Sequence, residues 1–405
     1  MNILVLNCGS SSVKYQLIEV EAQRTLARGS IDRIGMDGAM LTNIRHDGDE
    51  IKITGEIVDH ISAIEYILAV LLSRNHGVIN EKSDIQAIGH RVVHGGETFT
   101  SSVLITDDVI KGIRNNFEIA PLHNPHNLRG INACQVSLPG TPQVAVFDTA
   151  FHQQMPRRAF LYGIPYSLYT QYKIRRYGFH GMSHRYVSER AATLLKKDIA
   201  SLKLITCHLG NGCSMAAVDG GVSIDTTMGF TPLEGLLMGT RSGDIDSSVI
   251  LYIIAKEGIN IAEANTLLNK HSGLQGVSGV SSDMREILKE VANNDRKAQF
   301  AFELFCYRIR KYIGAYAAAM GGVDGIIFTG GIGENSPEVR QESCKDLGFL
   351  GVNVDGGLNT SPDKEKIISS DGSKVKVLVI PTNEELVIAL DTMKIVTEMK
   401  HETVS

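Results

Sequence analysis

The chain opens with two apolar segments separated by a short polar turn. Leu4 to Leu6 form an apolar run, residues 7–12 are small and polar, and residues 15–18 alternate between apolar and polar again. Glycine and serine let a backbone approach an anion and donate to it, and Lys14 adds positive charge just beyond the turn. The pattern predicts a β-hairpin that handles phosphate. The Gly-x-x-x-x-Gly-Lys-Ser/Thr string of a P-loop does not occur in the sequence, so a different nucleotide fold is expected.

The same arrangement returns later in the chain. Residues 204–218 contain an apolar run, a turn of glycine and polar residues, and a second apolar run, as residues 4–18 do. Two such hairpins predict two domains, each with one turn facing a shared cleft. Apolar residues at helical spacing also predict helices over 59–74, 283–292, 300–320 and 386–396.

Charged or glycine-rich segments follow three predicted strands. The strand over 85–88 leads into a loop that contains Arg91, and the strand over 144–147 ends at Asp148. Ligands bind at the carboxyl ends of strands in open α/β sheets, so both residues are expected at a site. Residues 325–335 predict a buried strand that breaks into a glycine-rich loop, where backbone can approach a nucleotide.

Length, charge and cysteine usage narrow the class of protein. With 405 residues, the chain exceeds what one core usually supports, and two domains of roughly 150 to 250 residues are expected. The net charge of −5 gives no basic surface, so no nucleic-acid partner is expected. No signal peptide opens the chain and no apolar run reaches the ~20 residues that span a bilayer, which predicts a cytoplasmic protein with no membrane partner. The six scattered cysteines are expected to be reduced thiols rather than metal ligands.

Several of these segments together resemble the acetate kinase family over essentially the whole chain. The strings Leu-Asn-x-Gly-Ser-Ser-Ser-x-Lys and Gly-His-Arg-x-Val-His-Gly-Gly are long and specific. The other segments that carry the resemblance are Asp148, residues 178–181, residues 208–212, residues 241–244 and residues 328–335.

The resemblance implies an α/β fold of two duplicated domains of the actin and ribonuclease H-like type, each a mixed β-sheet flanked by helices, around a central cleft. It implies a domain on the acid and phosphoryl side over 1–149 plus 386–405, and a nucleotide-binding and dimerisation domain over 150–385. The implied activity is reversible, direct in-line transfer of the ATP γ-phosphoryl group to acetate, giving acetyl phosphate and ADP. The implied assembly is a homodimer.

Phosphoryl transfer requires alignment and neutralisation of charge more than covalent help from the protein. Arg91 and Arg241 are the expected clamp, because guanidinium groups match carboxylate and phosphoryl oxygens, and His180 can donate from a third side. Structural alternatives are salt bridges for the arginines and a packed core position for the histidine. Asp148 resembles the family residue that is often described as a proton donor or acceptor. Acetate is already ionised near pH 7, so our hypothesis is that Asp148 orients Arg91 or a magnesium-bound water.

The resemblance also assigns a metal and an acid pocket. Mg2+, which Mn2+ can replace, is assigned to Asn7 and Glu384, whereas Glu385 has the simpler role of an acidic residue in the first turn of a helix. Arg91 is assigned to the substrate carboxylate. The positions assigned to the methyl group of acetate are Val93, Leu122, Phe179 and Pro232.

For ATP, the resemblance assigns two glycine-containing turns, a helix start and a glycine-rich loop. Glycine turns supply N–H donors to phosphates, Asp283 could accept from ribose hydroxyls, and Arg285 could pack on adenine. The assigned residues are Ser10, Ser12, Lys14, His208, Leu209, Gly210, Asn211, Gly212, Asp283, Met284, Arg285, Gly331, Ile332, Gly333, Glu334 and Asn335.

Three other functions remain open at this point. A propionate kinase differs only in a pocket that accepts one more methylene, which is worth about 1–3 kcal/mol. A non-catalytic ATP-binding switch of the same fold would lack a pocket for a small acid, and it is disfavoured by the two arginines and the histidine. A sugar kinase would use Asp148 as a base and would leave Arg91 without a substrate carboxylate.

Overall fold

The computed structural model describes residues 1–404, and their contacts divide the chain into two compact units. Unit 1 contains Met1–Ala150 and the C-terminal segment from Asn383, and unit 2 contains Phe151–Thr382. The strands, in chain order, are β1 (Asn2–Cys8), β2 (Ser12–Glu19), β3 (Arg24–Asp32), β4 (Ala39–Arg45), β5 (Glu50–Gly55), β6 (Ala87–Val92), β7 (Val103–Leu104), β8 (Gln143–Phe147), β9 (Lys203–Leu209), β10 (Cys213–Asp219), β11 (Val222–Thr226), β12 (Gly325–Thr329), β13 (Lys366–Ile367) and β14 (Lys376–Val379).

The helices divide between the same two units. They are α1 (His60–Leu71), α2 (Asp107–Asn115), α3 (Asn124–Ser137), α4 (Arg157–Phe160), α5 (Tyr166–Tyr172), α6 (Gly181–Leu195), α7 (Ser247–Glu257), α8 (Ile261–Lys270), α9 (Gly273–Ser278), α10 (Met284–Ala292), α11 (Arg296–Met320), α12 (Gly330–Asn335), α13 (Pro337–Cys344), α14 (Gly356–Thr360) and α15 (Glu384–Val404). Short 3-10 helices lie at Lys82–Asp84, Ala150–His152, Ile199–Ser201 and Gly348–Leu350. No helix within residues 1–404 combines the length and the apolar composition that crossing a membrane requires.

Unit 1 is built on one eight-stranded sheet in the order β5-β4-β3-β2-β1-β6-β8-β7. Ile88 packs in a core that α1 and α3 complete, whereas the next residue, Gly89, faces α15. Consecutive strand residues point to opposite faces, so helices cover both faces of this sheet. A Cβ atom at Gly89 would lie 2.5 Å from Ile388 Cγ2, which shows how closely α15 approaches β6.

Unit 2 repeats the arrangement with a six-stranded sheet in the order β11-β10-β9-β12-β14-β13. In both units an antiparallel three-stranded meander (β3-β2-β1 and β11-β10-β9) is extended by two parallel strands and then by one short antiparallel strand. The predicted hairpins are therefore equivalent elements of two similar sheets. The expected α/β fold with two mixed sheets flanked by helices is confirmed.

Both boundaries between the two units differ from the expected ones. Ala150 and Asn383–Glu385 belong to unit 1 rather than to the 150–385 domain, because α15 already begins at Glu384 and packs along β6, β1 and β8.

The segment after β12, which was expected to be a glycine-rich loop, is helix α12. Gly330 has φ +75°, and a Cβ atom there would lie 2.7 Å from the Leu209 carbonyl oxygen, so a glycine is needed where the strand turns into the helix.

Candidate active site

Arg91 and Asp148 form a buried ion pair in unit 1. Two neighbouring parallel strands bring these residues together: Arg91 lies near the end of β6, and Asp148 comes directly after β8. Arg91 Nε donates to Asp148 Oδ1 over 3.0 Å and Nη2 donates to Oδ2 over 2.7 Å. The Asp148 side chain is 2% exposed and the Arg91 side chain 22% exposed. The pair is thus a two-point clamp with one side of the guanidinium still accessible.

A second carboxylate stands beside the same guanidinium. Glu384, the first residue of α15, has Oε2 4.0 Å from Arg91 Nη2. Burial raises the pKa of Asp148 above the ordinary aspartate value, the Arg91 cation opposes that rise, and Glu384 adds to it. Burial alone would lower the pKa of Arg91, but the carboxylates of Asp148 and Glu384 raise it above its usual value. Arg91 therefore stays charged between two acids.

Two buried asparagines of α3 hold the segments around this pair. Asn127 Oδ1 accepts from the Val93 N–H over 3.1 Å, and its Nδ2 donates to the Cys8 carbonyl over 2.9 Å. Asn124 accepts from the His94 N–H over 3.1 Å and donates to the His94 carbonyl over 2.9 Å. One amide thus links the loop after β6 to the turn after β1.

The turn between β1 and β2 is closed by a hydrogen bond from the Gly9 N–H to the Ser12 carbonyl over 2.8 Å. Ser10 and Lys14 are exposed and Ser12 is half-buried, so their donors face solvent. Asn7 lies opposite Lys14 in the β1–β2 register. The Gly9 carbonyl bonds His60 Nε2 over 2.9 Å, which ties the turn to the start of α1.

The donors assigned to magnesium are hard oxygens. Asn7 offers an amide oxygen and Glu384 a half-buried carboxylate. No cluster of three or more His, Cys, Asp or Glu suited to a metal occurs among residues 1–401, the part of the chain with described side chains. Mg2+ is usually bound through one or two protein oxygens together with waters and phosphates, so this donor set fits the ion.

In unit 2, three segments bring His180, Gly212 and Arg241 together. A Cβ atom added at Gly212 would lie 3.4 Å from Arg241 Nη1 and 3.7 Å from His180 Nε2. Arg241 Nη1 donates to the Pro232 carbonyl over 3.2 Å. Among residues 1–401, whose side chains the structure describes, no carboxylate pairs with this guanidinium, and burial lowers the pKa of Arg241. A half-buried cation with no acid beside it is suited to an anionic ligand.

His180 is fixed in an unusual backbone conformation. It precedes α6 with φ 55°, in the left-handed region that costs energy in a residue other than glycine. Its ring stacks on His208 with centroids 4.2 Å apart, and His208 Nδ1 bonds Ser183 Oγ over 2.8 Å. The carbonyl of buried Phe179 bonds His152 Nε2 over 3.0 Å. Strain of this kind is characteristic of functional positions.

A cavity of about 770 Å³ lies in unit 2. Its walls come from the turn after β9, the start of α10, α12 and the start of α13. The lining residues are Gly210, Asn211, Ser282, Asp283, Met284, Arg285, Leu288, Gly331, Ile332, Asn335, Ser336 and Glu338. The glycine turn, the helix start and the glycine-rich segment assigned to ATP thus share one cavity, although ATP itself remains a prediction.

The whole chain was compared with known proteins, and the model of the acetokinase family matches residues 2–390. The chain belongs to the acetokinase family. The acetate kinase of Symbiobacterium thermophilum is 57% identical over 98% of this chain and 99% of that protein, and the acetate kinase of Thermoanaerobacterium thermosaccharolyticum is 58% identical over 99% and 100%. The expected family is confirmed.

Two solved structures of this family are also close. The acetate kinase of Porphyromonas gingivalis has a TM-score of 0.95 and 47% identity, and the match covers 98% of this chain and 99% of that one. A propionate kinase from Francisella tularensis has a TM-score of 0.90 and 43% identity over 97% and 99%. Both members share the fold, so the fold alone does not choose between the two acids.

Several residues assigned by the family resemblance make contacts that sequence reasoning did not foresee. Asp283 caps α10 and pairs with exposed Arg285, whose Nε donates over 3.0 Å, so the two groups expected on ribose and adenine hold each other. Glu334 Oε1 accepts from the Gly330 N–H over 2.9 Å and thereby closes α12. Gly333 is buried within α12 and Leu209 within the core at the end of β9. Leu122, assigned to the acid pocket, is 72% exposed and adds no buried wall within unit 1.

Other residues that shape these sites were missed. Asn124 and Asn127 carry no signal in the sequence beyond an asparagine at the start of a helix, which reads as an ordinary cap. Buried Arg340 donates from Nη1 to the carbonyls of Gly333 and Glu334 over 2.9 Å each, and so fixes the end of α12. No helix is predicted over this segment, and an arginine two residues after a glutamate suggests an ordinary surface ion pair.

Proposed function

We propose that this chain catalyses the reversible transfer of the γ-phosphoryl group of ATP to acetate, in line and without a covalent enzyme intermediate, giving acetyl phosphate and ADP. Full-length similarity to proteins named acetate kinase supports the reaction. The structural observation that carries it is Arg241, a half-buried cation beside His180 and the Gly212 turn that has no carboxylate partner among residues 1–401, whose side chains are described. Such a cation is what a transferring phosphoryl group requires.

In unit 2 the proposed roles follow from the donors present. The cavity between the Gly210 turn and α12 is large enough for a nucleotide of ordinary size. The family assigns the nucleotide phosphates to residues 208–212, and Arg241 and His180 stand beside that turn. Arg241 then neutralises phosphoryl oxygens and His180 donates a hydrogen bond, and both interactions strengthen as charge moves onto those oxygens.

In unit 1 the proposed roles divide between a binding residue and a positioning residue. Arg91 holds the acid or the transferring phosphoryl group with its accessible side, and Asp148 fixes the guanidinium from behind through two hydrogen bonds. Acetate is ionised at neutral pH, so no proton has to be removed from it and Asp148 is not required as a base.

We propose that Asn7 and Glu384 hold Mg2+, with Mn2+ able to replace it. When bound, the ion would supply positive charge that neutralises the nucleotide phosphates. Glu384 also belongs to the acidic environment of Arg91, so its position serves the guanidinium as well.

The most specific part of the proposal is that the substrate is acetate rather than another short-chain acid. Val93, Phe179 and Pro232 are the proposed contacts of the methyl group, with Leu122 as a further, exposed contributor. Propionate kinase is the second candidate function, because a protein of that name shares 43% identity and a TM-score of 0.90. A single methylene changes binding by only about 1–3 kcal/mol, so a small shift of Val93 decides between the acids.

The deciding experiment is trapping of acyl phosphate with hydroxylamine in the presence of Mg-ATP, with kcat/KM compared for acetate, propionate and butyrate. We expect acetate to lead. If propionate leads, the mechanism stands and the substrate changes. If none of the acids yields hydroxamate, the phosphotransferase proposal is wrong, and the switch and sugar-kinase functions must be tested instead.

Replacing Asn127 by Ala is expected to raise KM for acetate about tenfold, equivalent to ~1.4 kcal/mol. The change leaves the Val93 N–H and the Cys8 carbonyl without their partner, so the proposed methyl contact is free to shift. Asn127→Asp keeps the acceptor for Val93 and should raise KM less. Asn43→Ala, which removes another buried amide of unit 1, is the control. An equal KM for the Asn127→Ala and Asn43→Ala variants would contradict the prediction.

We also propose that the protein is a cytoplasmic homodimer. All six cysteines are free and buried, which suits a reducing compartment. Helix α7 reads SSVILYIIAKE, yet it contains no buried side chain, and Leu251 and Tyr252 are exposed on it. An apolar helix left uncovered within one chain fits an interface with a second copy.

Light scattering tests this assembly. We expect the wild-type protein to have twice the chain mass and the Leu251→Glu variant to have the mass of one chain, because a charge cannot be buried in an apolar contact. Val136→Glu changes an equally prominent exposed side chain of α3 and should leave the mass unchanged. If the wild-type protein has the mass of one chain, the proposed homodimer is wrong.

A further inference from the structure

Arg241 lies on a closed loop, residues 235–244, which we call the Arg241 loop. Its two ends bond each other twice: the Asp244 N–H donates to the Gly235 carbonyl over 2.9 Å, and the Gly235 N–H donates to Asp244 Oδ1 over 2.8 Å. Inside the loop, the Met238 N–H donates to the Arg241 carbonyl over 3.1 Å. The side chain of Asp244 therefore takes part in closing the loop that carries the proposed phosphoryl-binding cation.

The other oxygen of the Asp244 carboxylate is held by a different element. Tyr312 of α11 donates its hydroxyl proton to Asp244 Oδ2 over 2.6 Å. Burial and the bond to Asp244 raise the pKa of Tyr312 above its ordinary value, so the hydroxyl keeps this proton at neutral pH. Helix α11 is 25 residues long and packs against β9, β10, α9, α10 and α13. One hydroxyl thus ties the Arg241 loop to the centre of unit 2.

The Arg241 loop also contacts the turn after β9, which the family assigns to the nucleotide phosphates. The Gly239 N–H donates to the Asn211 carbonyl of that turn over 3.0 Å. At Gly243, with φ +66°, an added Cβ atom would lie 2.3 Å from the Leu236 carbonyl oxygen, so the two sides of the loop are in close backbone contact. A loop packed this tightly shifts as one piece. Any such shift would move Arg241 relative to the turn.

We propose that Asp244 and Tyr312 are positioning residues, which anchor the Arg241 loop to α11 and so hold the Arg241 guanidinium beside the Gly212 turn. The two oxygens of Asp244 bond the Gly235 N–H and the Tyr312 hydroxyl, so the carboxylate acts through the backbone of the loop. Neither residue makes or breaks a bond in the reaction. The kinetic part of this inference rests on the proposed phosphoryl transfer, whereas the anchoring of the loop does not.

Tyr312→Phe removes only the hydroxyl, and hydrogen exchange measures the anchoring without any assay of activity. We expect the amide hydrogens of the Arg241 loop to exchange about tenfold faster than in wild type, because a hydrogen bond that opposes local opening is lost. Tyr316→Phe is the control. Tyr316 is buried on the same helix with its ring centroid 5.6 Å from that of Tyr312, and its hydroxyl has no hydrogen-bond partner among residues 1–401. Its loop should exchange as in wild type.

The same pair of variants tests the kinetic consequence. Tyr312→Phe should lower kcat about tenfold, since misplacing a catalytic group by about 1 Å can cost up to about 10²-fold, with KM for acetate and for ATP changed less than about twofold. Tyr316→Phe should keep the wild-type kcat. In an Arg241→Ala background, Tyr312→Phe should cause no further loss, because it acts through Arg241. Asp244→Asn keeps an oxygen for the Gly235 N–H and should lose less activity than Asp244→Ala.

The outcomes separate this inference from the proposed function. Equal loop exchange in Tyr312→Phe and Tyr316→Phe would overturn the anchoring, whatever the activity of the protein. A loss of kcat that is as large in the Arg241→Ala background as in wild type, or a change confined to KM, would overturn the positioning role. A wild-type protein that forms no acyl phosphate would instead refute the proposed function, and the exchange rates would still decide the anchoring. If Asp244→Ala does not fold, the two tyrosine variants decide alone.

Discussion

Arg91→Ala should lower kcat/KM for acetate by about 10³-fold, because the proposed clamp loses a charged donor that acts on the transition state. The same change should destabilise unit 1. Asp148 is 2% exposed, and both of its carboxylate oxygens accept charge-assisted hydrogen bonds from Arg91. Removing one partner of a buried pair typically costs about 3–5 kcal/mol, since the other charge is left without compensation.

The destabilisation should depend on pH, and its sign follows from the carboxyl that remains. Without Arg91, burial and Glu384 both raise the pKa of Asp148 and the main opposing cation is gone. A carboxyl whose pKa is higher in the folded than in the unfolded state stabilises the fold below its unfolded pKa, and this stability is lost as the pH rises through the folded pKa. The melting temperature of Arg91→Ala, relative to wild type, should therefore be lowest at pH 8 and recover as the pH falls towards 4.5.

Arg310→Ala is a matched control for this result. Arg310 is 21% exposed, close to the 22% of Arg91, and it pairs with Glu342 in unit 2. Its partner is more exposed than Asp148, so the loss of stability should be smaller and should vary little with pH, and kcat/KM should stay near the wild-type value. An Arg91→Ala variant that keeps its activity, or whose deficit in melting temperature is the same at every pH, would contradict the clamp.

The Arg91–Asp148 pair was accessible from the sequence. Asp148 directly follows a predicted strand, and the strand predicted over 85–88 leads towards Arg91, although Arg91 lies within β6 rather than in the expected loop. Carboxyl ends of parallel strands meet at one edge of a sheet. The two hairpins were accessible for a similar reason, because alternation around a small polar turn has few other structures. The local sequence pattern therefore predicted those parts of the site that lie in a strand end or in a hairpin turn.

The unit 2 site was not accessible in that way. His180, Gly212 and Arg241 come from three separate segments, and no spacing rule brings them within a few ångströms of one point. Only the family resemblance joined them. Helix α12 was mistaken for a loop because three of its six residues are glycine, and its closure by the Glu334 carboxylate and by distant Arg340 is a tertiary effect.

Substitutions of Arg241 and Arg176 are expected to have opposite effects on activity and on stability, although both residues are arginines of unit 2. Arg176 pairs with Glu234 and donates to the carbonyls of Thr226 and Thr227 over 2.9 Å and 2.8 Å. Arg241 donates to the Pro232 carbonyl, has no carboxylate partner within the described chain, and has its pKa lowered by burial. The first arginine stabilises the fold, whereas the second carries an uncompensated charge in it.

Arg241→Ala is therefore expected to lower kcat/KM by about 10³-fold while the melting temperature of the free protein changes little. Arg176→Ala should lower the melting temperature strongly, because several buried acceptors lose their donor at once. Mg-ATP should raise the melting temperature of wild type more than that of Arg241→Ala, since a ligand stabilises in proportion to its affinity. Activity assays and thermal melts of the three proteins, with and without Mg-ATP, provide the comparison.

The comparison of the Arg241 and Arg176 variants also shows which results would contradict the proposed role of Arg241. If Arg241→Ala melts as early as Arg176→Ala, its bond to Pro232 holds the fold and the loss of activity says nothing about phosphoryl binding. If Arg241→Lys restores stability to the complex with Mg-ATP but not the rate, the charge binds the nucleotide and the planar fork is what the transition state requires. That second pattern is the one expected of a group placed for transfer, because the ammonium keeps the charge and loses the geometry that can meet two oxygens at once.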